Sequence, residues 1–172
     1  MRPVPAFIAT CALLGSSMAP AHSGPSKTLA TGALQDGSGA HHGTVALSGT
    51  DGRLHMTVKA SGLTPGMHGL HIHAVGACTA PDFTSAGGHW NPDNKQHGHA
   101  NPMGAHRGDL PQLDVAADGT GKAEFDIASS LSELLDADGA ALIVHAAADD
   151  EKTDPTGNSG ARLLCAVLTP AG

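Results

Sequence analysis

Histidine is the residue that stands out in this sequence, with 12 histidines against 9 lysines and arginines. His71 and His73 flank Ile72 in a predicted strand, and the two-residue period of a strand turns both imidazoles to the same face. Such a pair can bind a metal, but it is equally compatible with an ordinary polar strand face. The pair is therefore informative only together with the residues that follow it.

The glycine-rich segment after this strand supplies three more histidines and a carboxylate, at His89, His97, His106 and Asp109. Three imidazoles and one carboxylate form the ligand set of a four-coordinate zinc site. A loop of this composition buries few apolar groups, so a bound metal would give it a fixed shape. We therefore favour a metal site over a solvated polar loop. His145 ends the apolar run 142–144, where a core histidine is the usual interpretation.

The elements that position these residues are short strands separated by Gly, Asp and Asn turns, a pattern typical of an all-β sandwich or barrel. The pattern predicts strands at 45–47, 54–58, 70–73, 113–116, 123–127, 141–145 and 162–168, hairpin turns at 48–52 and 118–119, and one short helix at 130–135. Two long segments, 76–110 and 146–161, have almost no strand signal. Long loops of this kind inside a compact domain are usually functional or disordered. They hold most of the unusual residues.

The first 21 residues are typical of a secretory signal, with Arg2, an apolar stretch over 4–14 and a small-x-small cleavage site at 19–21. The mature domain is then 22–172. Lipid attachment at Cys11 is disfavoured because too few apolar residues precede it. Cleavage leaves Cys78 and Cys165, and two cysteines in an exported chain favour a disulfide over free thiols.

Composition excludes other classes of function. The formal net charge is −7, and no basic run is present, so nucleic acid is excluded as the main partner. No stretch after the signal approaches the roughly 18 apolar residues that a membrane span needs.

Four segments then match a known family in order and spacing. They are Gly-Met-His-Gly-Leu-His-Ile-His at 66–73, Gly-Gly-His-Trp-Asn-Pro at 87–92, His-Arg-Gly-Asp at 106–109 and Gly-Asn-Ser-Gly-Ala-Arg at 157–162. Over nearly the whole mature chain the sequence resembles copper-zinc superoxide dismutases. The extra residues at 79–84, together with the signal segment, resemble the bacterial periplasmic branch.

The resemblance implies an eight-stranded Greek-key β-barrel with an immunoglobulin-like sandwich arrangement, one copper and one zinc per subunit, and dismutation of superoxide anion in the periplasm. The implied copper ligands are His71, His73, His89 and His145, and the implied zinc ligands are His89, His97, His106 and Asp109. His89 would then bridge both metals as an imidazolate, and Cys78 and Cys165 would form the family's disulfide. In this scheme 76–110 is the disulfide and zinc loop, and 146–161 is the electrostatic-type loop.

Two further residues take roles by the same resemblance. Arg162 would orient the anion beside copper, because a guanidinium keeps its charge and offers a fixed fork of donors. Asp149, rather than its neighbour Asp150, would accept hydrogen bonds from His71 and His97. Lys95 and Lys152 are available to steer the substrate, with a solvated surface as the equal alternative.

The main alternative is a periplasmic copper and zinc buffer without turnover, although storage needs neither Arg162 nor a shared His89. A zinc hydrolase fits poorly because four protein ligands leave zinc no open position. The sequence leaves open a homodimer, a periplasmic copper donor, the packing of Trp90 and the role of His41 and His42.

Overall fold

Antiparallel strands form the framework of the computed structural model, which describes residues 27–50 and 52–172. The predicted signal segment, including Cys11, lies outside the described residues. The strands are β1 (Thr28–Gln35), β2 (His41–Thr50), β3 (Arg53–Ala60), β4 (Gly66–His68), β5 (Leu70–His73), β6 (Leu113–Val115), β7 (Gly121–Ile127), β8 (Ala141–His145), β9 (Arg162–Val167) and β10 (Thr169–Pro170). A 3-10 turn covers Thr84–Ala86, and the helix α1 covers Leu131–Leu134. No helix among the described residues is long and apolar enough to span a membrane.

The strands form one sheet in the order β4-β6-β7-β3-β2-β1-β9-β8-β5, with β10 added beside β1. The two ends of this order, β4 and β5, are consecutive in the chain and are separated only by Gly69. Gly69 donates its N–H to the Ala147 carbonyl at 2.9 Å and accepts from the His145 N–H at 2.9 Å. The segment 66–73 therefore pairs with β6 through its first half and with β8 through its second half, and it nearly closes the sheet into a barrel. We call this junction the barrel seam.

Counting β4 and β5 as one interrupted strand and leaving out the two-residue β10 gives the eight strands expected from the sequence, and the all-β prediction is confirmed. Strand alternation fills the core. In β3 the side chains of Leu54, Met56 and Val58 are fully buried. In β8 every residue is buried because the strand lies between β5 and β9.

Most predicted elements are present with small differences in their bounds. The predicted strands at 70–73 and 141–145 match β5 and β8, and α1 lies inside the predicted helix, where the Glu133 N–H donates to the Ser130 hydroxyl at 3.1 Å. Strand β1 was not singled out from the sequence, since its small residues Ala30, Gly32 and Ala33 give little alternation. The two long segments predicted without strands contain only the 3-10 turn.

Candidate metal centre

Four buried histidines converge at one end of the barrel, where β5 pairs with β8. They are His71 and His73 on β5, His145 at the end of β8, and His89, which forms an isolated bridge with His73. All four are buried, and one ligand nitrogen from each lies within 4.8 Å of the other three. We call these residues the four-histidine set.

Hydrogen bonds fix which ring nitrogen of these histidines is open. His73 Nδ1 donates to the Gly87 carbonyl at 2.9 Å, and His145 Nδ1 donates to the Gly160 carbonyl at 3.2 Å. His71 Nε2 donates to Asp149 Oδ2 at 2.5 Å. Because carbonyl and carboxylate oxygens only accept, the other nitrogen of each neutral ring keeps its lone pair.

Those remaining nitrogens are buried and have no hydrogen-bond partner among the described residues: His71 Nδ1, His73 Nε2, His89 Nε2 and His145 Nε2. Leaving a buried polar atom unpaired costs about 1–3 kcal/mol. Four such atoms aimed at one point indicate a ligand that accepts four lone pairs. A set of imidazole nitrogens suits copper.

A second centre gathers around one oxygen of Asp109. Asp109 Oδ1 lies 2.8 Å from His89 Nδ1, 3.0 Å from His106 Nδ1 and 3.1 Å from His97 Nδ1. Ligands about 2.05 Å from a central zinc lie about 3.3 Å apart at the corners of a tetrahedron. The contacts of Asp109 Oδ1, and the 3.4 Å between His106 Nδ1 and His89 Nδ1, are close to this spacing. We call these four side chains the Asp109 set, and their donor atoms are of the types that zinc binds.

Ligand atoms of His71, His89, His97 and Asp109 lie within 4.8 Å of one another, so His71 joins three members of the Asp109 set in this group and His106 is not part of it. The open nitrogen of His71, Nδ1, belongs with the four-histidine set, because Nε2 is bonded to Asp149. His89 is shared differently, with Nδ1 in the Asp109 set and Nε2 among the open nitrogens of the four-histidine set. The two centres thus meet at a single imidazole.

Asp149 links the two centres from outside. Its Oδ2 accepts from His71, and its Oδ1 accepts from His97 Nε2 at 3.0 Å. The close packing here requires glycine at position 157, since φ there is +62° and a Cβ would lie 1.8 Å from Asp149 Oδ1. Asp150, the adjacent carboxylate, instead bonds within its own exposed turn, to the Thr153 N–H at 2.8 Å.

Gln112 holds the backbone of Asp149 and was not found from the sequence. Its Nε2 donates to the Asp149 carbonyl at 3.0 Å, and its Oε1 accepts from the Asp149 N–H at 2.9 Å. The side-chain amide therefore pairs with Asp149 as a neighbouring strand would. Nothing in the sequence around a single glutamine at the edge of a loop signals such a contact.

Burial keeps His73, His145 and His89 neutral. Desolvation lowers the pKa of His73 to about 2, of His145 to about 3 and of His89 to about 4. Metal binding requires the neutral ring, so these side chains are held in the binding form.

Around the Asp109 set, contacts between histidines and carboxylates outweigh burial in setting the pKa values. Burial alone would lower the pKa of His97, but its close contact with the Asp109 carboxylate and its hydrogen bond to Asp149 outweigh burial and raise the pKa to about 9. The same contacts act on the carboxylates against burial: they lower the pKa of Asp149 to about 2 and hold that of Asp109 well below its usual range. Protons and a metal cation therefore compete for this set.

Arg162 lies beside the four-histidine set at the start of β9, opposite His145 in the strand pairing. Its Nη1 donates to the Phe83 carbonyl at 2.7 Å, and its Nη2 donates to the Gly87 carbonyl at 2.8 Å. The Gly87 carbonyl also accepts from His73, so one loop oxygen orients both side chains. A guanidinium has five N–H donors, so others remain available to an anion.

The loop that carries these carbonyls is tied to the barrel by the predicted disulfide, which the structure confirms. Cys78 and Cys165 are bonded, with Cα atoms 5.8 Å apart. Cys165 is buried on β9 in a small cluster with Phe83, Ala86 and Ile143. The disulfide therefore anchors the start of the segment that orients Arg162.

Other residues left open by the sequence have defined places. Trp90 packs in the barrel core, with the Arg107 guanidinium carbon 5.8 Å from its ring centroid. His42 bonds to Asp36 and to the Ser61 carbonyl, whereas His41 is exposed.

Lys95 and Lys152 are both exposed, and no side-chain hydrogen bond or ion pair joins either to the site within the described chain. Their role in steering stays a prediction.

Comparisons with known proteins agree with this architecture. The family model for copper/zinc superoxide dismutase (SODC) matches residues 41–168. A superoxide dismutase-like protein of Bacillus subtilis, YojM, is 47% identical over 129 residues, which are 69% of this chain and 64% of that protein. The Cu-Zn superoxide dismutase of Caulobacter vibrioides is 40% identical over 147 residues, covering 81% of this chain and 84% of its relative.

Two solved structures are also similar. The SOD-like protein from Bacillus subtilis superposes with a TM-score of 0.77 at 41% identity, covering 81% of this chain and 97% of that one. The Cu/Zn superoxide dismutase from Brucella abortus gives a TM-score of 0.64 at 34% identity, covering 80% and 97%. Copper and zinc are the metals expected for such proteins. By its sequence match and its barrel, the chain belongs to the copper/zinc superoxide dismutase family.

Proposed function

We propose that the protein dismutates superoxide, converting two superoxide anions and two protons to dioxygen and hydrogen peroxide. The observation that carries the proposal is the set of four open, buried nitrogens that meets the Asp109 set at His89. In this proposal His71, His73, His89 and His145 hold copper, and His89, His97, His106 and Asp109 hold zinc. Bound copper would supply a one-electron redox couple, which zinc lacks, and bound zinc a fixed positive charge.

His89 would serve both metals as a bridging imidazolate. Its Nε2 is buried and open, so it is the ring atom that would take up a proton and return it during turnover. Nδ1, held 2.8 Å from Asp109 Oδ1, stays with the Asp109 set. Burial lowers the pKa of this ring to about 4 in the metal-free protein, so the ring is neutral near pH 7 and in the form that binds a metal.

Arg162 would bind and orient the anion. The protein carries a formal net charge of −7, so attraction of superoxide must come from a local positive group. Carbonyls of Phe83 and Gly87 hold the guanidinium beside the four-histidine set. A protein that only stored metal would need no such orientation, which argues against the buffer alternative.

We also propose that the protein is exported to the periplasm. The Cys78–Cys165 disulfide supports this proposal, because disulfides persist in oxidising compartments.

The test is superoxide consumption, measured by pulse radiolysis on metal-free protein and after adding copper, zinc or both. Activity should return with copper, should not return with zinc alone, and should fall in Arg162→Gln at full metal content. Stoichiometric copper and zinc binding without turnover would establish the buffer alternative instead. Activity that survives complete removal of copper would overturn the proposal.

A further inference from the structure

A cavity of about 360 Å³ opens against the outer side of the Asp109 set. Its walls include two members of that set, His106 and Asp109, together with His99 and the apolar side chains of Leu110 and Phe125. The lining of the cavity includes neither Arg162 nor any member of the four-histidine set. The cavity therefore reaches the Asp109 set without involving the residues proposed to bind superoxide and copper.

His106 is the member of the set that solvent reaches first. The exposed side-chain fractions are 0% for His97, 1% for His89, 3% for Asp109 and 8% for His106. His106 Nδ1 faces Asp109, and no hydrogen bond joins its Nε2 to any other residue that the structure describes. A nine-tenths buried imidazole in the wall of the cavity thus has one nitrogen without a hydrogen-bond partner among the described residues.

His99 lines the same cavity and has no part in either set. Its Nε2 donates to the Asp109 carbonyl at 3.0 Å, so in the neutral ring Nδ1 keeps its lone pair. The residue is exposed. Neutral imidazole nitrogens are common zinc ligands, and this one is accessible.

We propose that this cavity is the entry site for zinc, with His99 as a transient ligand that receives the ion before it passes to His106 and Asp109. The inference rests on the proposed zinc site. A hydrated cation sheds its water stepwise, and an exposed ligand replaces one water before the buried ligands are reached. Such a ligand lowers the barrier in both directions and leaves the equilibrium unchanged.

The test compares wild-type protein with His99→Gln, whose amide can still donate to the Asp109 carbonyl but offers no imidazole nitrogen. Metal-free, disulfide-bonded protein is mixed with zinc in a stopped-flow instrument, and release is followed with a chromophoric chelator. We expect uptake and release both to slow by the same factor, about ten-fold, so that the dissociation constant is unchanged. His41→Gln, an exposed histidine outside the cavity, should leave both rates as in wild type.

The two rates distinguish the explanations. Faster release with unchanged uptake would mean that His99 only supports Asp109, and that result would overturn the entry site. Unchanged rates in His99→Gln would overturn it as well, while tight zinc binding in the same experiment would leave the proposed function standing. If wild-type protein bound no zinc, the proposed function would itself fail.

Discussion

Removal of the disulfide should destabilise the protein by an amount that follows from its position in the chain. Cys78 and Cys165 are separated by 87 residues, so the bond closes a loop that covers more than half of the described chain. In the chain-entropy model a loop of this size stabilises the fold by about 4.5 kcal/mol at 25 °C. For a domain of this length, that loss lowers Tm by roughly 9–18 °C.

Cys78→Ala is the better of the two single substitutions, because Cys165 is buried in the cluster on β9 and Cys78 is only partly buried. The free energy of unfolding is measured by guanidinium titration and Tm by circular dichroism, on metal-free protein in the absence of reductant. Thr79→Ala, at an exposed neighbouring position, is the matched control. It should stay within about 0.5 kcal/mol of wild type.

Reductant provides the second arm of the same experiment. It should lower the stability of wild type to the level of Cys78→Ala and should leave the variant unchanged. The reasoning is refuted if the variant lies within about 1 kcal/mol of wild type at an equal denaturant slope, or if reductant destabilises both proteins equally.

Further predictions concern the site. Gln112→Leu should weaken zinc and copper binding, each about ten-fold or more, by releasing Asp149. In an Asp149→Asn background the substitution should have no further effect, and competition titrations in which the effects of the two substitutions simply add would contradict the contact. Arg162→Gln should lower kcat/KM for superoxide and flatten its dependence on ionic strength, with metal content by mass spectrometry unchanged. Zinc binding at pH 7–8 should displace a proton from His97, whose pKa is raised to about 9 in the metal-free site. Calorimetry in buffers of different ionisation enthalpy measures the protons released on zinc binding, and a value of zero would contradict this prediction. In the metal-free protein, the three members of the four-histidine set with lowered pKa bind fewer protons than the unfolded chain between pH 4 and the ordinary value of 6.5, so the free energy of unfolding should fall on acidification through this window. Denaturant midpoints that stay constant from pH 7 to pH 4 would exclude that linkage.

Much of the architecture could be predicted from local patterns. The period of two placed His71 and His73 on one strand face, and turn residues marked most strand ends. The resemblance supplied the partners of those histidines, including His145, which a local analysis would assign to the core. The pairing of Cys78 with Cys165 followed from there being only two cysteines in the predicted mature chain.

What could not be predicted depends on contacts between segments far apart in the chain. The open nitrogen of His73 is set by the carbonyl of Gly87, and that of His145 by the carbonyl of Gly160. A backbone carbonyl carries no sequence signal, and the loop that places it has no repeating pattern. The role of Gln112 could not be predicted for the same reason, since its partner is the backbone of Asp149.

The barrel seam has a consequence for how the protein opens. His71 and His73 lie on the strand that closes the barrel at Gly69, and His145 lies on the strand it meets there. Separation of β5 from β8 would divide the four-histidine set, so a metal held by all four histidines would bind only the closed barrel. Ligands that bind only the closed form add their binding free energy to its stability. Amide hydrogen exchange at Gly69 and His145 should therefore slow sharply when the site is loaded, which makes these two amides direct reporters of local opening.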